Sequence, residues 1–340
     1  MAFQPGFFDV EHRIEKIQQY NSPLLRLADY IDFEFFRKEL ETYFRKGKDY
    51  SKGGRPPYDY VLMFKILIIQ HFYNISDDQT EFCINDRFSF MQFLNLQLGQ
   101  RIPDAKTIWN FKNELSREDM INKLFAKLHK QLLTDGIVVS KGSIVDASFV
   151  NVPRQRNSRE ENEQIKQGDQ PKDWSDVKAC QKDLDARWTK KDNETHYGYK
   201  DHVKADAATK LITGYEVTDA SVHDSQMLDE LLNKEDKTVY ADSAYRSEAQ
   251  EERLVAAGIE SRIMEKGARN RSLTNKQIKN NKMKSKIRVR VEHIFGYMTN
   301  SMNGMFIKSI GIDRAKTAIG MKNLVYNLFR LTQLNIELRA

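Results

Sequence analysis

The hydrophobic period of this chain changes once, near Gly136, and that change limits the folds open to it more than any other feature. Before it, apolar residues recur at helical spacing in 33–44, 60–72, 79–93 and 105–115, so residues 1 to about 135 are expected to be helical. Ser76 with Gln79 and Ser116 with Asp119 resemble capping boxes, and Pro103-Asp104 precedes the run Ala-Lys-Thr-Ile-Trp-Asn-Phe. Gly53-Gly54-Arg55-Pro56-Pro57 interrupts the pattern and separates the first helix pair from the next. After Gly136 the runs are rich in β-branched residues: 137–139, 143–150, and then 199–205 and 211–217 around Asp206-Ala-Ala-Thr-Lys, as in a hairpin. A helix over about 225–232 follows, then a buried strand over 238–241 and a helix opened by Ser247-Glu-Ala-Gln. A short strand near 260–264 and a last helix complete the order.

Three strands, then helix, strand, helix, strand and a final helix match the element order of an RNase H-like fold. The expected class is therefore α/β: a mixed sheet with flanking helices, preceded by an all-helical domain. The domains divide at 1–135, read as a DNA-binding region, and 136–340, which carries a polar insertion at about 151–195 and a C-terminal helical tail. A loop of that length is usually functional or disordered. It holds Arg154, Arg156 and Arg159 close behind the first strand, and also Trp174 and Trp188, which either wedge between bases or pack a small subdomain. In 340 residues there are two cysteines, Cys83 and Cys180, with no C-x-x-C spacing, which argues against a disulfide framework or a cysteine-rich zinc site and for a reducing cytosol. The N-terminus lacks a basic segment followed by an apolar one, and the most apolar stretch, 61–69, contains Lys65 and is too short for a bilayer. The chain reads as neither secreted nor membrane-embedded.

Charge is uneven. Residues 262–290 carry eleven basic side chains against one acid, Glu265, so +10 lies there while the whole chain is +6, leaving −4 for the remainder. Such a block is either a solvated lysine-rich loop or the approach for a polyanion, nucleic acid being the obvious one. Candidate phosphate contacts within it are Lys266, Arg269, Arg271, Lys286, Arg288 and Arg290, to which Arg154 and Arg156 are added. In the helical half, the run after Pro103 offers Lys106, Thr107, Asn110 and Lys112 as groove contacts of a helix-turn-helix-like domain. A bundle with a merely wet polar face explains the same pattern.

The basic block leads into the helix of Glu292, and two further acids, Asp146 and Asp242, end or interrupt the β-branched runs. A sheet-and-helix core that gathers these three carboxylates makes them repel unless something positive lies between. A hard cation such as Mg²⁺ suits carboxylate oxygen, and a pair of ions can flank a phosphate under in-line attack. On a helical wheel Ile287, Val291, Ile294, Phe295 and Met298 form one stripe, with Arg288 and Glu292, four apart, along its border.

At this point the chain resembles the DDE transposases of bacterial insertion sequences, in the group whose glutamate lies in a Tyr-x2-Arg-x3-Glu-x6-Lys pattern. The resemblance spans nearly the whole chain. Its carriers are the Pro-Asp-Ala-Lys-Thr-Ile-Trp-Asn-Phe segment, Ile-Val-Asp-Ala-Ser and the following Val-Pro-Arg-Gln-Arg-Asn-Ser-Arg-Glu-Glu-Asn, and His-Tyr-Gly-Tyr-Lys-Asp-His. Ser-Val-His-Asp-Ser, Ala-Asp-Ser-Ala-Tyr and Arg-Val-Glu-His-Ile-Phe-Gly complete the set, all in order. The resemblance implies that Asp146, Asp242 and Glu292 are the catalytic and metal-binding triad, with two Mg²⁺ ions and Mn²⁺ able to substitute. Arg288 matches the motif arginine, whereas Ser285 and Thr299 stand where the motif has tyrosine and lysine.

The resemblance further implies a transposase that binds the terminal inverted repeats of its own element and cleaves and joins DNA strands in a metal-dependent reaction. It would act on double-stranded DNA, including target DNA, as a homo-oligomer when two ends are synapsed, in the cytoplasm at the nucleoid. Two other classes remain: a structure-directed nuclease of RNase H-like fold, and a DNA-binding protein without catalysis. Asp224 reads as a helix N-cap, with His223 packing or touching phosphate. No H-E-x-x-H or Walker-type glycine loop occurs, which disfavours a zinc hydrolase and nucleotide hydrolysis.

Overall fold

Asp59 and Asn74 bracket the most apolar helix of the chain. The Asp59 carboxylate accepts from the Leu62 amide, and Asn74 ends the helix in the left-handed region at φ 50°. In the computed structural model, which describes residues 6, 8–20, 22–46, 53, 56–138, 142–191, 193–267 and 272–340, two compact units form. One comprises Met1–Leu124 with Leu324–Ala340, the other Phe125–Asn323.

The first unit contains α1 (Asp9–Gln18), α2 (Pro23–Tyr30), α3 (Arg37–Arg45), α4 (Tyr60–Tyr73), α5 (Asp77–Asp86), α6 (Phe88–Leu94) and α7 (Ala105–Arg117). The expected helix over 33–44 divides into a 3-10 turn, Phe33–Phe36, and α3. The expected 79–93 run breaks at Arg87, whose backbone is extended between α5 and α6. α4 is buried on nearly every side, so its face-to-face alternation is lost and apolar surface is covered all round. Phe44 stacks on Tyr60 at 4.9 Å and on Phe111 at 4.5 Å, and Phe72 on Phe329 at 4.0 Å. The buried Lys65 places its ammonium 4.8 Å from the Phe93 ring centroid and 5.4 Å from that of Phe33, and burial lowers its pKa to about 8.

Ser76 caps α5 by accepting from the Gln79 amide. Ser116, by contrast, lies inside α7 and donates to the Asn113 carbonyl, while Asp119 sits at φ 49° before α8 (Met120–Thr134). Ile137 and Val138 do not begin a strand. Both amides bond back to the Leu132 carbonyl, closing the end of α8 where Gly136 takes φ 67°, and Val139 lies outside the described residues.

The second unit is built on β1 (Ser143–Asn151), β2 (Arg187–Lys191), β3 (Glu194–Asp206), β4 (Ile212–Asp219), β5 (Thr238–Tyr240) and β6 (Glu260–Ser261). Their order is β2-β3-β1-β5-β6, with β4 also on β3. β1 runs antiparallel to β3, and β3 antiparallel to β2 and β4, whereas β5 lies parallel to β1 and β6 parallel to β5. This is the mixed sheet expected of an RNase H-like core. Gly198 makes the β1–β3 pairing possible at its tightest point. It adopts φ 144°, and a Cβ there would stand 2.3 Å from the Val150 carbonyl oxygen.

The insertion after β1 is folded, holding α9 (Arg159–Lys166) and α10 (Asp176–Cys180) before β2. Ser158 and Glu161 form a capping box on α9, and Glu161 also accepts from Trp174 Nε1 at 2.6 Å and Lys178 Nζ at 2.7 Å. Trp174 is thereby a packing residue, buried, whereas Trp188 is 42% exposed. Past β4 come α11 (Leu228–Leu231), α12 (Glu248–Ala256), α13 (Asn275–Asn300) and α14 (Ile312–Leu334). Among the described residues no helix is long and apolar enough to cross a membrane.

Candidate active site

The β1–β5 ladder pairs Ser143 with Val239 and Ile144 with Tyr240. Asp146 lies two residues further along β1 and Asp242 two residues past the end of β5, so the register that packs the sheet brings both to one edge, where the charge of Asp242 acts on Asp146. β5 ends at Tyr240, and Asp242 caps a 3-10 turn, Ser243–Tyr245, by accepting from the Ser243 amide at 2.6 Å. Asp146 accepts from the Ala147 amide at 2.9 Å.

Glu292 arrives on α13. Thr274 and Gln277 form a reciprocal capping box that starts this helix, about 39 Å long at 1.5 Å per residue. Val291, Ile294 and Met298 are buried and seat it, while Ile287 and Phe295 are half-buried. That orientation carries Arg288 to the sheet, where it donates to Asp146 Oδ2 at 2.9 Å and to Glu292 Oε1 at 2.9 Å. The positive group lying between two of the acids is thus the protein's own guanidinium. Among the described residues no three Asp, Glu, His or Cys side chains are grouped closely enough to hold one metal ion.

The acids differ in setting. Asp146 has 18% of its side chain exposed and Glu292 53%. Burial raises the pKa of the Asp146 carboxyl, opposed by the Ala147 amide and by the charges of Arg288 and Lys191, and Asp242 pushes in the same direction as burial. A desolvated acid beside another acid calls for positive charge, which is the setting that favours a cation.

Around this edge lie groups that motif reasoning left without roles. Asp224 is not the cap of its turn: His223 is, its Nδ1 accepting from the Ser225 amide at 3.3 Å, while Asp224 pairs with the buried Lys200 at 2.8 Å. Lys200 also donates to the Val222 carbonyl at 2.6 Å, fastening this turn to β3. Tyr245 is buried, with its hydroxyl in the field of Asp146, Asp224 and Asp242. Lys191, at the end of β2, acts on Asp146 through space, and nothing in its local sequence signals this because β2 reaches the site only by pairing with β3.

The candidate DNA contacts are scattered. Lys266 and Lys286 are exposed, Arg290 donates to the Ala207 carbonyl, and Arg269 and Arg271 lie outside the described residues. Arg154 donates to the Thr195 carbonyl at 3.2 Å with its guanidinium 5.8 Å from the Trp188 ring, and Arg156 is exposed. In the helical unit, Lys106 and Asn110 share an exposed strip of α7 with Trp109, whereas Lys112 is engaged by Asp77 at 2.5 Å.

Comparison with known proteins matches residues 139–328 to the family described as Transposase DDE domain, and residues 12–114 to a transposase domain (DUF772). A solved piggyBac transposase synaptic complex with hairpin DNA is distantly similar, at a TM-score of 0.42 and 10% identity over 96% of this chain and 78% of that one. The DDE match covers more than half of the chain, and the chain belongs to the DDE-domain family of transposases.

Proposed function

We propose that this transposase cuts and joins DNA at Asp146, Asp242 and Glu292, in a reaction that depends on a divalent cation. The observation that supports this most is the shared edge: Asp146 and Asp242 follow in register from the β1–β5 ladder, and Arg288 ties Asp146 to Glu292. The donor set fits Mg²⁺, with Mn²⁺ able to substitute, since it consists of one carboxylate on β1 and one just past β5, with a buried hydroxyl nearby that has no hydrogen-bond partner among the described residues. Asp146 and Asp242 would hold the cation, and Glu292 would join them or hold a second when Arg288 turns away. Divalent cations held by these carboxylates would supply a more acidic water and positive charge opposite a departing 3′ oxygen.

The chain's own groups do the rest. Arg288 neutralises Asp146 and Glu292 while no nucleic acid is present, and a phosphodiester competes for its planar fork, so substrate arrival frees the carboxylates. Lys266, Lys286 and Arg290, with Arg269, Arg271, Arg154 and Arg156, grip phosphates and make binding salt-dependent. Lys106 and Asn110 contact the terminal inverted repeats, target DNA enters the same carboxylate edge for strand transfer, and two copies of the chain hold paired ends. The protein would work in the cytoplasm at the nucleoid.

An Asp146→Asn variant tests the assignment. With labelled element-end DNA and Mg²⁺ it is expected to bind like the parent and yield neither nicked nor joined product on a sequencing gel. Cleavage at the parental rate would overturn the role given to Asp146.

A further inference from the structure

Tyr245 is buried to 1% exposure, and its hydroxyl has no hydrogen-bond partner among the described residues. Its ring packs in the apolar layer with Val145, Leu228, Val239 and Leu254. Its amide donates to the Asp242 carbonyl at 3.1 Å, closing the turn that Asp242 caps. The turn at 224–227 packs against this one, and Lys200 holds Asp224 there. The phenol is therefore fixed relative to Asp242 by covalent and backbone geometry, not by its own polar atom.

The charges of Asp146, Asp224 and Asp242 reach this phenol, and its hydroxyl, protonated at neutral pH as phenols are, is a donor. Those carboxylates have other partners: Asp224 has Lys200, Asp242 the Ser243 amide, and Asp146 the Ala147 amide and Arg288. Buried donors as a rule find acceptors, and phenylalanine fills the same space without leaving one unmet. We propose that Tyr245 is a positioning residue of this site: its hydroxyl donates to an oxygen carried by the divalent cation that Asp146 and Asp242 hold, and so fixes where that cation sits. The inference rests on the carboxylate reading above, and it adds a group outside the three acids.

The test is Mn²⁺ binding to the full-length, DNA-free protein, followed by the paramagnetic resonance of free Mn²⁺, with tyrosine difference absorbance recorded alongside. Tyr245→Phe keeps the ring. It is expected to bind Mn²⁺ about 10- to 100-fold more weakly, as loss of a supporting hydrogen bond at a metal site does, and to lose part of the absorbance change. Its unfolding midpoint should equal or exceed the parent's. Leu254→Ala, a packing control in the same layer, should lower the midpoint and leave Mn²⁺ affinity unchanged. A Tyr245→Phe protein that binds within twofold of the parent, or that fails to fold, overturns the proposal, because a hydroxyl that only positions a cation is dispensable to folding. Asp242→Asn separates the two claims: unchanged Mn²⁺ uptake in that variant would sink the carboxylate reading itself, whereas lost uptake with a normal Tyr245→Phe would sink only the role of Tyr245.

Discussion

α4 in the helical unit and β3 in the sheet unit are both buried along most of their length, yet α4 is filled almost wholly with hydrocarbon, Lys65 and Gln70 apart, while β3 interleaves buried charges with Tyr199, Val203 and Ala205. α4 buries Val61, Met63, Phe64, Ile66, Leu67, Ile68 and Ile69. β3 buries Lys200, Asp201, His202, Lys204 and Asp206. Hydrocarbon packing is non-directional, and it tolerates repacking as long as volume is kept. Buried charges are directional and add little net stability, but removing one partner strands the other in a low dielectric. The contrast assigns different tasks: the helix holds its unit together, while the strand holds side chains at set positions near the carboxylate edge. Lys204 pairs with Asp236 at 2.9 Å, with Ser143 and the Asn233 amide also donating to that aspartate, and Asp183 anchors Tyr199 along with the Ala186 and Gly311 amides.

Substitutions in the two elements and at the carboxylate edge should behave differently. The largest effect is expected for Asp242→Asn, a loss of about a thousandfold or more in end cleavage, typical of removing a group that stabilises transition-state charge. The unfolding midpoint should barely move, and a matching fall in stability would mean that the aspartate is structural. Next comes Lys204→Met, which leaves Asp236 buried and unpaired and should cost about 3–5 kcal/mol in urea unfolding. Adding Asp236→Leu should restore most of it. Leu67→Ala in α4 should cost about 2–5 kcal/mol by opening a cavity, and here no second substitution of charge would compensate. If Lys204→Met proved as harmless as a surface change, the distinction between the two buried elements would fail.

Smaller effects probe the same strand by pH. Asn323 Nδ2 donates to Asp201 Oδ1 at 3.0 Å, while Asp201 Oδ2 and Asn323 Oδ1 have no partner among the described residues. A protonated Asp201 satisfies both by donating to the amide oxygen. Burial raises its pKa to about 7, against about 3.9 when unfolded. The folded state then holds a proton that the unfolded chain has lost between these values. This contribution to stability is complete below about pH 4 and declines as pH rises to about 7, by at most about 1.4 kcal/mol per pH unit. Asp201→Asn should flatten that slope in unfolding measured from pH 4 to 8. At the bottom of the scale, Arg253→Ala removes an exposed pair with Asp229 and should cost under about 1 kcal/mol.

Much of this architecture could be read before any coordinates. Asp146 and Asp242 are 96 residues apart, which is also the offset of the β1–β5 ladder, and the alternating runs foretold the sheet around them. The stripe on α13 likewise follows from its sequence. What stayed hidden depends on long-range pairing. Arg288 between Asp146 and Glu292 requires knowing how α13 meets β1. The cap at 224 went to the neighbouring His223 because Lys200, far away in sequence, claims Asp224. The insertion read as a polar loop since its helices are short and its strand has few apolar residues, and the contact of Trp174 with Glu161 helps give it a centre.

Gly198 fixes the register of β1 on β3. Side chains alternate along a strand, so sliding β1 by a single step against β3 would turn Asp146 toward the opposite surface of the sheet and exchange it for a hydrophobic neighbour. Only one alignment puts the residue lacking a side chain where β1 crosses closest, since every other residue there would collide with the Val150 carbonyl. A missing methyl group thus serves as the index mark by which the strands find their place, and the chemistry of the edge inherits its accuracy from that blank.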